Sequence, residues 1–242
     1  MENKKINIKN LKEYIYKNGP CNLNNLNLID NAKKWLNNEI IRINMLNIFE
    51  NKMYDLNYNF IAGVDEVGRG PLVGPVVAAC VVLPKYSFIP DIDDSKKLSE
   101  KKREILSDVI KKHAIAYGIG IVENDEIDRI NILNATYKAM KIATSQININ
   151  IDCLLVDAIK IPDVNIHQTS IIKGDSKSIS IAAASIIAKV KRDKIMKEYH
   201  YKYPQYGFNK NKGYGTKVHI EALKKYGPCP LHRTTFLHKI LK

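Results

Sequence analysis

Six histidines, four cysteines and one tryptophan are spread thinly over 242 residues. Cys21, Cys80, Cys153 and Cys229 form no C-x-x-C pair, which removes the usual zinc and redox spacings. Reduced thiols in a cytosolic protein are the expectation. His113, His167, His200, His219, His232 and His238 make no metal-ligand ladder. No stretch approaches the about 18 consecutive apolar residues of a membrane-spanning helix. Residues Met1 to Asn10 are polar and lack the apolar core of a signal peptide. No internal repeat is visible. These absences favour a cytoplasmic protein with no membrane partner, built as one medium domain or a domain plus a small appendage.

Acidic residues are scarce in one place. Residues 173–242 hold sixteen basic against four acidic side chains, a charge of +12. Residues 1–59 carry +3 and residues 60–172 carry −2, within a total of +13. A solvated lysine-rich surface is the plain explanation. A basic tract beside a carboxylate-rich middle favours a polyanionic partner, nucleic acid above all.

The apolar pattern predicts elements along the chain. Helical spacing runs from Lys9 to Lys17 and from Asn31 to Tyr54, with Gly19-Pro20 breaking the two. This is a helical N-terminal extension, residues 1–58, separate from a domain spanning 59–242 that is expected to fold without it. Residues 60–65 and Val76 to Leu83 read as an antiparallel pair of strands around a glycine- and proline-punctuated turn. Ser99 caps a helix containing Arg103, Leu106 and Ile110. Ala114 to Val122 is a third strand, followed by helices at 123–130 and 132–145. Cys153 to Val156 is a short buried strand ending at Asp157, and Gln168 to Ile172 is another. A long helix runs from about Lys177 to Tyr201, with small or polar Ser178, Ala182, Ser185 and Lys189 on one face. Thr216 to Tyr226 is the last clear helix, stopped by Gly227-Pro228. Strands first and helices interleaved predict an α/β fold with a mixed sheet.

Four acids fall where strands and helices begin or end. Asp65 and Glu66 close one strand, Asp157 closes another, and Asp175 opens the long helix. Hard divalent cations prefer such oxygen ligands. Two ions can activate water and stabilise the leaving oxygen of a phosphodiester. Taken alone, Asp175 would more often be an N-cap. Adjacent strand residues point to opposite faces, so Glu66 is expected past the strand end if both acids bind metal.

Several blocks, in order, resemble ribonuclease HII. The first is Gly63-Val64-Asp65-Glu66-Val67-Gly68-Arg69-Gly70-Pro71. Val156-Asp157 follows, then Lys173-Gly174-Asp175 leading through Ser180 to Ser185 and on to Arg192-Asp193. Asp94 to Ser99, Lys212 to Thr216 and His232 to Phe236 also match. The resemblance covers residues 60–238, and long motifs in fixed order are more specific than any short one. Thr234 and Thr235 stand where a basic residue and a serine are more usual.

The resemblance implies a ribonuclease H-like fold, with a mixed sheet flanked by helices and a basic C-terminal helical region. It implies that Asp65, Glu66, Asp157 and Asp175 are catalytic acids holding Mg²⁺ or Mn²⁺, two ions in the reacting complex. Gly68, Arg69 and Gly70 would grip the ribonucleotide at its 2′-hydroxyl, and Tyr214 would sense the same ribose. Lys96, Lys173 and Lys189 are candidates for contact with the substrate backbone; His219 and His232 would meet phosphate or cap helices. The implied reaction is hydrolysis of the RNA strand of RNA–DNA hybrids, 5′ of a ribonucleotide, leaving 3′-hydroxyl and 5′-phosphate ends. Removal of single ribonucleotides from DNA would follow, by a monomeric enzyme. A ribonuclease HIII, which carries Gly-Lys-Gly and a larger N-terminal domain, is the alternative enzyme. A non-catalytic hybrid-binding protein is the alternative class. Contact with a replication clamp is left open.

Overall fold

A computed structural model describes residues 5–20, 22–238 and 240. Five strands form one sheet: β1 (Ile61–Val67), β2 (Val76–Val82), β3 (Ala116–Val122), β4 (Cys153–Asp157) and β5 (His167–Ile171). Their spatial order is β3-β2-β1-β4-β5. β1–β2 and β2–β3 are antiparallel; β1–β4 and β4–β5 are parallel. β2 is buried on both faces, as its unbroken apolar run requires.

The helices are α1 (Ile8–Asn18), α2 (Asp30–Leu46), α3 (Ile48–Asp55), α4 (Glu100–His113), α5 (Asn124–Ile130), α6 (Ile132–Ser145) and α7 (Ile179–Lys202). Three more follow, α8 (Phe208–Asn211), α9 (Lys217–Tyr226) and α10 (Thr234–Leu237). The period-two alternation of β2 sorts them into layers. Val77, Ala79 and Val81 pack with Leu106, Ile110 and Ile187 of α4 and α7. Val76, Ala78 and Val82 pack with Ala135, Ala139 and Met140 of α6. α7 lies so close to β1 that a Cβ on Gly63 would sit 2.0 Å from the Ser180 carbonyl carbon. Only glycine fits there.

The expected helix from Asn31 to Tyr54 is two helices, divided at Asn47. Its side-chain amide donates to the carbonyls of Ile43 and Ser87, which ties the break to the loop before α4. Asp175 likewise does not open the long helix. It sits in a separate 3₁₀ turn, Gly174–Ser176, and the cap of α7 is Ser178, whose hydroxyl accepts from Ile181 N–H.

The N-terminal helices share the core across residue 58. Ile43 and Leu46 of α2 join the cluster containing Val77, Ala79 and Ile187. Met53 and Tyr54 of α3 pack with Ile61, Leu155 and Ile181. Burying each of the two aliphatic side chains on α2 contributes about 1.5–3 kcal/mol. Asp91 supplies a polar join, taking Lys12 at 2.8 Å and Lys102 at 2.5 Å as ion pairs. Cys80, Cys153 and Cys229 are buried free thiols; Cys21 lies outside the described residues. Among the described residues, no helix is long and apolar enough to cross a membrane.

Candidate active site

Register brings two of the acids together. Val64 of β1 is the partner of Val156 of β4, so the next residues, Asp65 and Asp157, stand side by side. Val64 and Val156 face α6, which leaves both acids on the face covered by α7. Asp175 arrives from the turn before α7. That turn is fixed to Asp157, whose Oδ1 accepts the Gly174 N–H at 2.7 Å.

Glu66 differs from expectation. It lies inside β1, paired with Ala78, rather than past the strand end. The antiparallel ladder with β2 continues through Val67, yet the Glu66 charge still reaches both Asp65 and Asp157. One of its oxygens, Oε1, accepts from Arg69 at 3.3 Å, while Oε2 is buried without a hydrogen-bond partner.

The acids share one field. Burial raises the pKa of Asp65 well above the usual carboxylate range, and the charges of Glu66 and Asp157 push it further. Burial raises Glu66, with Arg69 opposing. Asp157 is raised by burial and by Asp175, against the Gly174 hydrogen bond. Lys96 Nζ sits 3.3 Å from Asp175 Oδ2. Basic side chains thus engage two acids, and among the described residues no three potential ligands already form a metal cluster. The chemistry of the donor set still suits a hard cation: carboxylate oxygens only, mutually repelling, one of them buried and unpartnered.

The glycine turn joins this field to a tyrosine. A Cβ on Gly70 would lie 3.8 Å from the Tyr214 ring, so Gly68, Arg69, Gly70 and Tyr214 border one place next to Glu66. Tyr214 is 45% exposed, which leaves its ring free to meet a ligand. Gly68 adopts φ +99°, and a side chain there would collide with Arg192.

Two fully buried arginines hold that turn, a role the sequence reading did not assign. Arg192 donates to the carbonyls of Val73, Pro75 and Lys212. Arg233 donates to those of Gly68, Arg69, Pro71 and Gly74. All of these bonds end on backbone carbonyls, and the Lys212 contact adds the strand of chain leading to Tyr214. Burial lowers the two pKa values to about 10 and about 9, so both remain charged at neutral pH. Their places within matched motifs were visible in the sequence; that they bind carbonyls was not.

His219 and His232 do not reach solvent, being 0% and 2% exposed. With both rings neutral, the hydrogen bonds run one way. Cys229 N–H donates to His232 Nδ1 at 2.9 Å, His232 Nε2–H to His219 Nε2 at 3.1 Å, and His219 Nδ1–H to the Tyr214 carbonyl at 2.9 Å. They brace the tyrosine from beneath instead of meeting phosphate. Lys189 is half-buried, paired with Asp193 at 2.6 Å. Thr234 and Thr235 both hydrogen-bond Asp128 through backbone and hydroxyl, which anchors the segment after Arg233.

A family model described as Ribonuclease HII matches residues 62–239. A ribonuclease HII of Caldanaerobacter subterraneus subsp. tengcongensis is 65% identical over 239 residues, covering 99% of each chain. The ribonuclease H2 of Pyrococcus horikoshii OT3 superposes with a TM-score of 0.62 at 28% identity, over 75% of this chain and 97% of that one. Bst-RNase HIII in complex with Mn²⁺ shares the fold at 19% identity and a TM-score of 0.52, over 69% of this chain and 63% of that one. Sheet order, matched motifs and full-length similarity therefore agree, and the chain belongs to the ribonuclease HII family.

Proposed function

We propose that this enzyme hydrolyses the RNA phosphodiester 5′ of a ribonucleotide, including a single ribonucleotide within duplex DNA, leaving 3′-hydroxyl and 5′-phosphate ends. Family membership makes it a type II ribonuclease H acting on RNA–DNA hybrids. The observation that carries the finer reading is the meeting of two features. Asp65 and Asp157 stand on adjacent strands beside the turn bearing Asp175, and the Gly68–Gly70 turn leads from Glu66 to Tyr214.

In this reading Asp65, Glu66, Asp157 and Asp175 hold Mg²⁺ or Mn²⁺, two ions when substrate is bound. Such ions supply an activated water and charge stabilisation at the leaving oxygen. The chain's own residues orient the nucleic acid. Gly68 and Gly70 let backbone groups approach the sugar, where a side chain would stand in the way. A 2′-hydroxyl is the one group that distinguishes RNA from DNA at a single residue. The Tyr214 ring can lie against the ribose while its phenol hydrogen-bonds. Lys96, extended from the loop before α4 to Asp175, is suited to neutralising a phosphate at the same place. The +12 tract from residue 173 onward supplies the wider attraction for a duplex. No side-chain nucleophile is needed. Repair of misincorporated ribonucleotides by a monomer is the setting this chemistry fits.

The deciding assay uses three duplexes: all-DNA, an RNA–DNA hybrid, and DNA with one ribonucleotide. Each is incubated with Mg²⁺, with Mn²⁺ and with EDTA. Metal-dependent cutting 5′ of the lone ribonucleotide is expected. Cutting of hybrid runs alone would refute recognition of a single ribose, and cutting in EDTA would refute the metal role.

A further inference from the structure

Glu50 belongs to α3, outside the residues matched by the family model, yet its carboxylate ends at the start of α7. It is 2% exposed. Oε1 accepts the Ser178 hydroxyl at 2.6 Å and the Ser180 N–H at 3.0 Å. Oε2 is buried with no hydrogen-bond partner among the described residues. A buried carboxylate is costly and an unpartnered oxygen more so. Met53 and Tyr54, which follow it on α3, belong to an apolar cluster with Ile181. An acid kept there against that cost calls for a role.

The contacts lead from Glu50 to the acids in short steps. Ser178 donates its hydroxyl to Glu50 and caps α7 by accepting from Ile181 N–H at 3.2 Å. Its own N–H donates to the Gly174 carbonyl at 2.9 Å. Gly174 N–H in turn donates to Asp157 Oδ1 at 2.7 Å. Asp175 is the middle residue of this turn. A negative group at a helix N-terminus is also favoured by the helix dipole, which holds the carboxylate on Ser178 and Ser180.

We propose that Glu50 is a positioning residue that sets the turn carrying Asp175 and oriented on Asp157, so that the N-terminal helices tune divalent-metal affinity. This rests on the reading of Asp157 and Asp175 as metal-holding acids. Glu50 touches neither metal nor substrate. It fixes where two of the ligands stand.

Full-length Glu50→Ala, Glu50→Gln, Ser178→Ala and Asp175→Asn are compared by Mn²⁺ titration calorimetry, with thermal melting and cleavage kinetics alongside. Glu50→Ala removes both hydrogen bonds and should weaken Mn²⁺ binding by ~10-fold or more, the scale of losing a charged hydrogen bond. Its cleavage should recover toward the parent rate at raised metal. Glu50→Gln keeps an acceptor oxygen for Ser178 and Ser180 but not the charge, and should recover most of the Mn²⁺ affinity lost in Glu50→Ala. Ser178→Ala should repeat the weakening, and it decides the matter if Glu50→Ala fails to fold. Parent-like Mn²⁺ affinity in folded Glu50→Ala, or in Ser178→Ala when Glu50→Ala does not fold, overturns the proposal while Asp175→Asn still loses metal. Parent-like Mn²⁺ affinity in Asp175→Asn overturns it together with the reading of the acids. A lowered melting temperature with unchanged Mn²⁺ affinity assigns Glu50 to stability alone.

Discussion

Asp157 Oδ1 accepts the backbone N–H of Gly174 at 2.7 Å, joining the end of β4 to the turn that bears Asp175. Asparagine retains that acceptor but loses the charge. Asp157→Asn should therefore fold normally, with unchanged circular dichroism, and lose cleavage by orders of magnitude through weakened metal binding. Affinity for the hybrid should hold or rise, since one repulsion with phosphate disappears. Ordinary cleavage by the folded variant in Mg²⁺ would remove Asp157 from the site.

Tyr214 presents an exposed ring beside Gly70, while its backbone is held by His219. Tyr214→Ala should leave the fold and all-DNA binding nearly unchanged. Cleavage at a single embedded ribonucleotide should fall by about 10- to 100-fold, the scale of one or two lost polar contacts. Equal losses on cleavage and on all-DNA binding would make the tyrosine a packing residue.

Arg233→Lys tests the carbonyl clamp. An ammonium cannot reproduce the planar fork that reaches Gly68, Arg69, Pro71 and Gly74. Stranding one or two buried carbonyls costs about 1–3 kcal/mol each. Melting should drop by several degrees, at about 2–4 °C per kcal/mol for a chain of this size. The surviving folded enzyme should discriminate ribose from deoxyribose less well. Undiminished discrimination would show that the turn keeps its shape unaided.

The histidine pair predicts a pH dependence. Burial holds both below the ordinary value, His232 down to about 4. In the unfolded chain each titrates near 6.5. Between those values the unfolded chain binds protons that the folded pair excludes, so stability falls with pH. The contribution is whole above about 6.5 and is lost as pH falls through about 4. For one proton the slope approaches about 1.4 kcal/mol per pH unit within that window. His232→Gln should flatten urea-unfolding stability between pH 7 and pH 5 relative to the parent. An identical slope in the variant would mean the pair does not control it.

Deleting residues 1–57 removes Ile43, Leu46, Met53 and Tyr54 from two shared clusters. The truncated chain should be insoluble, or melt far below the parent. A soluble 58–242 fragment with parent-like stability would show that the remaining core closes over the loss.

Much of this was legible in the sequence, and the reasons for the rest are physical. The unbroken apolar run at Val76 to Leu83 read as a strand, and β2 is one, buried on both faces. Ser99 announced α4, and its hydroxyl does accept from Lys102 N–H. The break at Asn47 was hidden because apolar spacing continues through it, and only the Ser87 carbonyl reveals why the amide stops the helix. Glu66 was expected past the strand because metal ligation was assumed first; the ladder with Ala78 shows that pairing decides. Arg192 and Arg233 read as part of a basic tract, since composition cannot tell a solvated guanidinium from a buried one. The reach of Glu50 to Ser178 spans 128 residues and leaves no local signal.

The strand order has a consequence for how the enzyme comes into being. β1 meets β2 through a short connection, whereas its other neighbour, β4, lies some ninety residues further along the chain. Closing a long loop costs entropy before its contacts are made, so the hairpin should form early and the β1–β4 pairing late. Asp65 and Asp157 sit on opposite sides of that late seam. A chain emerging from the ribosome, or one partly unfolded, would carry every acid of the site without assembling it. Nuclease competence should therefore appear in a single step with the closing of the sheet, and a refolding time course should show cleavage lagging behind the first gain of β-structure.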